Sequence, residues 1–289
     1  AESGMAELVM VNCLGKGVKA RQEHLGLGYL KSYLGQKGLA SSIIDDNFLN
    51  LGPEKLAAAI LNHDPMAVGF SIFFNNVIDS IKTIQTLRAA GYKGHVCLGG
   101  HYATFHYHNL LGRFAEIDSI VMGEGEYTLT ELLRHISRGR DWRHIAGLAR
   151  RTQDGRPGIT QNRPLVPDLD ALPFPDRSPY LRSRDGVASA NIASSRGCYG
   201  CCSFCSVSAF YRLGSGSAWR PRSPKNIVDE MEHLAGLGIS FFHFVDDNFM
   251  GPGNTGYQRA REIGKEILRR NLDITFDIDC RAADVNSDV

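Results

Sequence analysis

Over the first 140 residues, short apolar runs alternate with stretches in which apolar residues recur every three or four positions. Glu7–Asn12 predicts a strand, and Leu27, Leu30 and Leu34 then recur at helical spacing. Ser41–Ile44 predicts a second strand that ends at Asp45 and Asp46. Pro53 suits the first turn of a helix carrying Leu56, Ala59 and Ile60. Ala67–Ile72 predicts a third strand, and Asn75 or Asn76 is the expected N-cap of a helix through Ile78, Ile81, Ile84 and Leu87. Val96–Leu98 and Ile117–Met122 predict further strands. A helix over Tyr127–Ile136 places Leu129, Leu132, Leu133 and Ile136 on one face. Strands alternating with helices in this way predict an α/β fold, a doubly wound parallel sheet. Ligands of such sheets bind at the carboxyl ends of the strands, where Gly99-Gly100-His101 and Gly123-Glu124-Gly125-Glu126 fall. Spacing alone leaves open whether these glycines only make tight turns.

The pattern changes after residue 140. Gly147–Thr152 and Gly158–Gln161 flank Asp154-Gly155 and predict a small hairpin. Five prolines follow between Pro164 and Pro179, a density that suits a linker. Alternation resumes near Ala190. Ser223-Pro224 opens a helix bearing Ile227, Met231 and Leu234, Phe241–Val245 predicts a strand, Tyr257–Arg270 a helix, and Ile274–Asp279 another strand. The expected organisation is a domain over 5–140, a hairpin and linker over 141–189, and a second α/β region over 190–289. Three strand–helix starts suit the beginning of a (β/α) barrel, and a six-stranded partial barrel needs roughly 100 residues more. The chain therefore reads as the front part of a longer enzyme. Ala1–Gly4 before Met5 has the look of an expression remnant and is left out of fold reasoning.

Composition narrows the possibilities. The chain has 43% hydrophobic and 22% charged residues and a net charge of +1, so it carries no electrostatic footprint for nucleic acid or an anionic membrane. No apolar stretch predicts a membrane span, and no signal peptide is visible. Four of the seven cysteines crowd into Cys198–Cys205 while the others are scattered. That distribution suits a reduced, cytoplasmic protein with one metal site better than a disulfide framework.

Cys198, Cys202 and Cys205 form a CxxxCxxC triplet with Phe204 before the last cysteine. Three thiolates so close can hold three irons of a four-iron cluster and leave the fourth iron open for chemistry. The competing reading is structural zinc, which needs a fourth ligand; Cys280 and His243 would have to come from far along the chain. Cys201 adjoins Cys202, and neighbouring residues rarely aim at one tetrahedral centre, so it reads as a non-ligand.

The triplet, with its lead-in Ser194-Ser195-Arg196-Gly197-Cys198, resembles the signature of radical S-adenosylmethionine enzymes, in the subgroup with an N-terminal cobalamin-binding domain. Leu25-Gly26-Leu27-Gly28-Tyr29-Leu30, Ile43-Ile44-Asp45, Gly99–Thr104, Gly123–Glu126 and the linker Leu169–Pro175 are similar to that family in order and spacing, from about residue 7 to residue 282. Two departures stand out. Tyr199 replaces the family's usual proline, which bears on loop rigidity more than ligation. The Asp-x-His-x-x-Gly signature that supplies a cobalt-ligating histidine elsewhere is absent, so His24 reads as an ordinary loop histidine. No histidine is then expected on the lower cobalt face.

The resemblance implies that Cys198, Cys202 and Cys205 hold a [4Fe-4S] cluster. Its open iron is chelated by the amino and carboxylate groups of S-adenosylmethionine, and one electron from an external reductant yields a 5′-deoxyadenosyl radical. The cofactors carry that chemistry while the protein positions them and excludes water. For the S-adenosylmethionine site the expected residues are Asp246, Asp247 and Asn248, just past the second barrel strand; the alternative is a helix-capping turn. Arg281 suits the carboxylate, with an ion pair to Asp284 or Asp279 as its alternative, and Tyr199 and Phe204 would border the adenine. For the cobalamin tail the expected residues are Ser71, Phe73, Asn75, Gly99, Gly100, His101, Tyr102, Gly123, Glu124, Gly125 and Glu126, glycine permitting close backbone approach. His106 and His108 read as helix-surface residues.

The expected function is methyl transfer to an unactivated carbon of a small-molecule or peptide-derived biosynthetic intermediate. Cyclisation, rearrangement or oxidation with the same cofactors is the alternative within enzymes. A cobalamin- or zinc-binding module without catalysis is the alternative outside them. Neither nucleic acid nor membrane is an expected partner.

Overall fold

The computed structural model describes residues 8–15, 17, 23–181 and 189–285, in two compact units that meet in sequence between Arg163 and Pro164. Glu7, the expected start of the first strand, and the expected domain start at residue 5 lie outside the described residues.

The first unit runs β1 (Leu8–Asn12), α1 (Leu25–Gln36), β2 (Ser41–Asp45), α2 (Asp46–Leu49), α3 (Gly52–Leu61), β3 (Ala67–Ser71), α4 (Val77–Ala89) and β4 (His95–Gly99). It continues with α5 (His101–Phe105), α6 (Tyr107–Arg113), β5 (Ser119–Val121), α7 (Glu126–Ser137), β6 (Leu148–Arg151) and β7 (Pro157–Ile159). The sheet order is β2-β1-β3-β4-β5-β6-β7, parallel through β5 and antiparallel for β6 and β7. Alternation along each strand divides its side chains between two faces. Val9, Val11, Val68, Phe70, Val96 and Leu98 pack with Leu56, Ile60, Ile84 and Leu87 of α3 and α4. Leu8, Met10, Ala67, Cys97 and Val121 pack with Leu27 and Leu34 of α1 and Leu129, Leu132 and Leu133 of α7. Helices on both faces make the sheet doubly wound, as the sequence predicts.

One boundary moves. The hairpin expected in the connector over 141–189 is β6–β7, the antiparallel edge of the first sheet. Its cause is the pairing of β6 with β5, a contact between distant residues that hairpin periodicity cannot show.

The second unit contains α8 (Ser178–Leu181), β8 (Ser189–Ile192), β9 (Ser195–Arg196), α9 (Ser206–Tyr211), β10 (Arg220–Pro221), α10 (Pro224–Gly236), β11 (Phe241–Phe244), α11 (Gly253–Arg269) and β12 (Thr275–Ile278). Strands β8, β11 and β12 are parallel and adjacent in chain order, the connectivity of a barrel wall. Ala190, Ile192, Phe242 and Phe244 face α10 and α11, where they pack with Ile227, Met231, Leu234, Ile263 and Ile267. Ser223 caps α10 by accepting the Asn226 N–H at 3.2 Å, and Pro224 follows at the helix start. Among the described residues, no helix is long and apolar enough to cross a membrane.

Candidate functional site

In the first unit the strand order reverses between β1 and β3, and the carboxyl ends there form the crevice in which doubly wound sheets take ligands. Buried polar side chains hold its floor. Asn12 Nδ2 donates to Asp45 Oδ1 at 3.0 Å, and Asn76 Nδ2 donates to Asn12 Oδ1 at 3.4 Å. Asn76 also donates to Ser71 O at 3.0 Å and accepts the Phe73 N–H at 2.8 Å. Its side chain is therefore spent on the loop and does not cap α4, although Asn76 is the N-cap residue. Of the residues expected to line the cobalamin tail, Ser71 is 7% exposed and bonded to His24, Phe73 lies near the His24 ring, and Asn75 is exposed.

The two glycine turns differ residue by residue. A methyl group built on Gly99 would meet nothing within 4 Å, and the same holds for Gly123, whose φ is +68°. These two positions leave open space at the ends of β4 and β5, the kind of cradle that a bulky cofactor tail needs. Gly100, at φ +91°, lies against the Ile72 backbone instead, where an added carbon would sit 3.0 Å from Ile72 O. His101 and Tyr102 are half-buried in the first turn of α5, and Tyr102 stacks on His106 at 4.2 Å. His106 and His108 are exposed. Glu124 is half-buried, whereas a methyl group built on Gly125 would lie 3.1 Å from Leu30 and Glu126 is buried at the start of α7. Gly125 and Glu126 thus adjoin the helix packing.

In the second unit the cysteine loop leaves β9 and ends at α9, with Cys205 as N-cap residue. Cys198 and Cys205 are half-buried, while Cys201 and Cys202 are exposed. A methyl group on Gly200 would lie 3.4 Å from Cys198 Sγ and 3.9 Å from Cys202 Sγ, so two of the thiols flank this glycine. Cys205 N donates to Cys202 O at 3.1 Å. Among the described residues, no group of three His, Cys, Asp or Glu side chains is drawn together tightly enough to hold a metal ion. The donor set itself is soft, closely spaced and accessible, which fits iron–sulfur ligation. Cys201 points elsewhere and accepts from Arg212 Nη2 at 3.0 Å.

Two residues expected at the S-adenosylmethionine site, Tyr199 and Asn248, converge on Asp284, which the sequence suggests only as an ion-pair alternative for Arg281. Tyr199 Oη donates to Asp284 Oδ2 at 2.6 Å, and Asn248 Nδ2 reaches the same oxygen at 3.2 Å. The Arg281 guanidinium lies over the Tyr199 ring at 5.4 Å. Desolvation, then the bond to Asp284, pushes the Tyr199 phenol up. Among the described residues nothing donates to the buried Asn248 Oδ1, so one acceptor in this cluster fits a donor such as an ammonium group. Phe204, by contrast, is 91% exposed.

Asp246 and Asp247 take different positions from Asn248. Asp246 is 5% exposed and accepts from the Ser194 N–H at 3.2 Å, Ser194 Oγ at 3.0 Å and Ser195 Oγ. Burial raises its carboxyl above the ordinary range, against the pull of these bonds and of Arg259. Asp247 is exposed, and desolvation raises its carboxyl above the ordinary range. Arg259, which sequence reading passed over, donates to Ser194 O and Ser194 Oγ at 2.6 Å each and to Phe249 O at 3.0 Å. The only sequence signal for it is an arginine on the buried face of α11, between Gly256 and Ile263.

Residues 12–133 match the B12-binding domain family. Over 269 residues the chain is 30% identical to an uncharacterised methyltransferase of Pyrococcus horikoshii, a match covering 92% of this chain and 56% of that protein. It is 29% identical over 274 residues to the anaerobic magnesium-protoporphyrin IX monomethyl ester cyclase of Rubrivivax gelatinosus, covering 91% of this chain and 47% of that one. The chain thus spans about half the length of these relatives. Its fold is similar to the radical S-adenosylmethionine methyltransferase TsrM of Kitasatospora setae, with a TM-score of 0.77 at 22% identity, over 98% of this chain and 56% of that one. It is also similar in fold to the cobalamin-dependent S-adenosylmethionine radical enzyme OxsB, with a TM-score of 0.79 at 22% identity over 97% of this chain and 40% of that one. The B12-binding match, the relatives and the ordered cysteine and glycine motifs lead to one conclusion: the chain belongs to the cobalamin-dependent radical S-adenosylmethionine family.

Proposed function

We propose that the chain forms the corrinoid-binding domain and the cluster-bearing wall of a methyltransferase that modifies an unactivated carbon of a small-molecule or peptide-derived biosynthetic intermediate. The observation that carries this reading is the pairing of two folds in one chain: a doubly wound sheet with open glycine positions at its strand ends, and a parallel strand wall bearing the three-cysteine loop. The first unit, to Arg163, takes the corrinoid, and the unit from Pro164 takes the cluster and S-adenosylmethionine.

When bound, the reduced cluster supplies the electron that cleaves S-adenosylmethionine, and the corrinoid supplies a methyl carrier. The chain's own residues bind and orient. Cys198, Cys202 and Cys205 are the cluster ligands in this reading. Tyr199, Asn248, Asp284 and Arg281 form a polar group suited to an amino acid moiety: Asn248 Oδ1 accepts from its ammonium and Arg281 pairs with its carboxylate. Ser71, Gly99, Gly100, Gly123 and Glu124 border the corrinoid tail, while Phe73 is an apolar neighbour at the β3 end. An external one-electron reductant is required, and a reducible cluster on closely spaced cysteines supports a cytoplasmic location.

Anaerobic reconstitution tests this reading. About four irons per chain, with a visible sulfide-to-iron band lost on Cys202→Ala, support the cluster. Zinc in place of iron, or no uptake of added hydroxocobalamin, overturns the cluster or corrinoid assignment respectively. Similarity to the R. gelatinosus cyclase favours a second reading in which the same cofactors close a ring. S-Adenosylhomocysteine among the products supports methylation; 5′-deoxyadenosine and methionine alone support the cyclase reading.

A further inference from the structure

The segment before Cys198 is buried and held on several sides, whereas residues 201–204 of the loop after it are exposed. Ser194 gives its backbone N–H and its hydroxyl to Asp246 Oδ2, and Ser195 gives its hydroxyl to Asp246 Oδ1. Arg259 grips Ser194 from the other side through its carbonyl and hydroxyl. Ser195 and Arg196 pair with β10, and Arg222 N donates to Ser194 O at 2.9 Å. Gly197 then turns at φ +82° beneath Ala218, so closely that an added carbon would lie 1.8 Å from Ala218 O. Beyond Cys198, Tyr199 is tied to Asp284 and Cys201 accepts from Arg212, while residues 201–204 are exposed.

This distribution separates two tasks. A carboxylate offers about four lone-pair sites, and three on Asp246 are taken by the lead-in, so little is left for a cosubstrate. Hydrogen bonds to a charged partner are stronger than those between neutral groups, which suits them to hold a turn that would otherwise move with its loop. We propose that Asp246 is a positioning residue for the cysteine loop: it locks Ser194 and Ser195 to the end of β11, so that Cys198 is delivered on a rigid base while Cys202 and Cys205 close onto the cluster. This differs from the S-adenosylmethionine contact expected for Asp246, and it rests on the cluster reading above. Arg259 completes the clamp by balancing the buried Asp246 charge.

The test uses Asp246→Asn and Ser195→Ala in the full chain, with Asp229→Asn on the outer face of α10 as control. After anaerobic reconstitution, iron release to a chelator, the electron paramagnetic resonance signal of the reduced cluster and the melting midpoint of the cluster-free protein are compared. Loss of partners just behind a metal ligand typically weakens metal binding by about 10–100-fold. Iron release faster than wild type by about tenfold, with an altered resonance signal and a melting midpoint like that of the control, is the expected result. Ser195→Ala removes a single hydroxyl and decides the matter if Asp246→Asn fails to fold. Variants that retain iron and signal like wild type overturn the clamp while leaving the cluster reading intact. A wild-type chain that takes up no iron overturns both.

Discussion

His24 Nε2 lies 2.8 Å from Ser71 Oγ, joining the loop before α1 to the carboxyl end of β3. His24 Nδ1 also accepts the Leu27 backbone N–H at 3.2 Å, capping the helix. A ring nitrogen that accepts an N–H carries no proton, so Nε2 carries it and donates to Ser71. Ser71 thereby keeps its own O–H as a donor at the strand end. The departure from a cobalt-ligating motif thus has a structural use: this histidine is committed to a cap and a crevice wall.

Burial pushes His24 down to about 4, and burial likewise pushes His95 down to about 4. Both folded-state values lie below the unfolded value of about 6.5, so the unfolded chain binds more protons between them. Stability from these neutral imidazoles is complete above pH ~6.5 and is lost as pH falls toward ~4. Equilibrium urea unfolding of the first unit should show its midpoint falling across that window. His24→Gln should flatten the decline to the part left by His95.

Glu230 ties the connector to the strand wall. It lies 2.7 Å from Arg177 and 2.6 Å from Arg222, and all three side chains are buried. Arg177 also donates to Asn191 O at 2.8 Å, and Arg222 to Ala193 O at 2.9 Å. Removing the one acid leaves two guanidinium groups buried with like charge, a change that typically costs about 3–5 kcal/mol. Glu230→Gln should lower stability by that order, read from urea unfolding followed by fluorescence of Trp219, which lies in the same unit.

Gly99→Ala and Gly100→Ala separate a cofactor cradle from a structural turn. The first adds a methyl to open space and should leave the melting midpoint of the corrinoid-free protein unchanged while weakening hydroxocobalamin retention in gel filtration. The second combines φ +91° with contact to Ile72 O and should lower the melting midpoint even without cofactor. A left-handed conformation alone costs a non-glycine residue about 1–2 kcal/mol. Equal retention by Gly99→Ala and wild type would remove this position from the corrinoid site.

Gly197→Ala should be far more damaging than Gly38→Ala. Both glycines have positive φ, but an added carbon at Gly38 meets nothing within 4 Å, whereas at Gly197 it collides with Ala218 O. Gly38→Ala should cost about 1–2 kcal/mol. Gly197→Ala should prevent formation of the β9–β10 pair, seen as lost soluble expression or lost protection of the Arg222 amide in hydrogen exchange.

The strand and helix sequence of the chain was legible because apolar periodicity is local. Each apolar run became a strand within a few residues, and the apolar residues expected on α3, α4, α7 and α10 face the sheets except Ile78 of α4, which is exposed. Prolines and caps marked helix starts at Pro53 and Ser223 for reasons confined to a single turn. The cysteine triplet was legible for the same reason: its ligands are neighbours in sequence.

Only the tertiary structure decided what depends on distant partners. Hairpin residues 148–159 belong to the first sheet because β6 pairs with β5. Asp246 and Asn248, two residues apart, have different fates because Ser194 and Ser195 approach one while Asp284 meets the other. Arg259 takes its place only once α11 packs beside the lead-in. Residue types and spacing therefore determined which donors this protein possesses. Burial and long-range hydrogen bonding, which follow from packing and not from local pattern, decided which of them brace the fold and which remain available for chemistry.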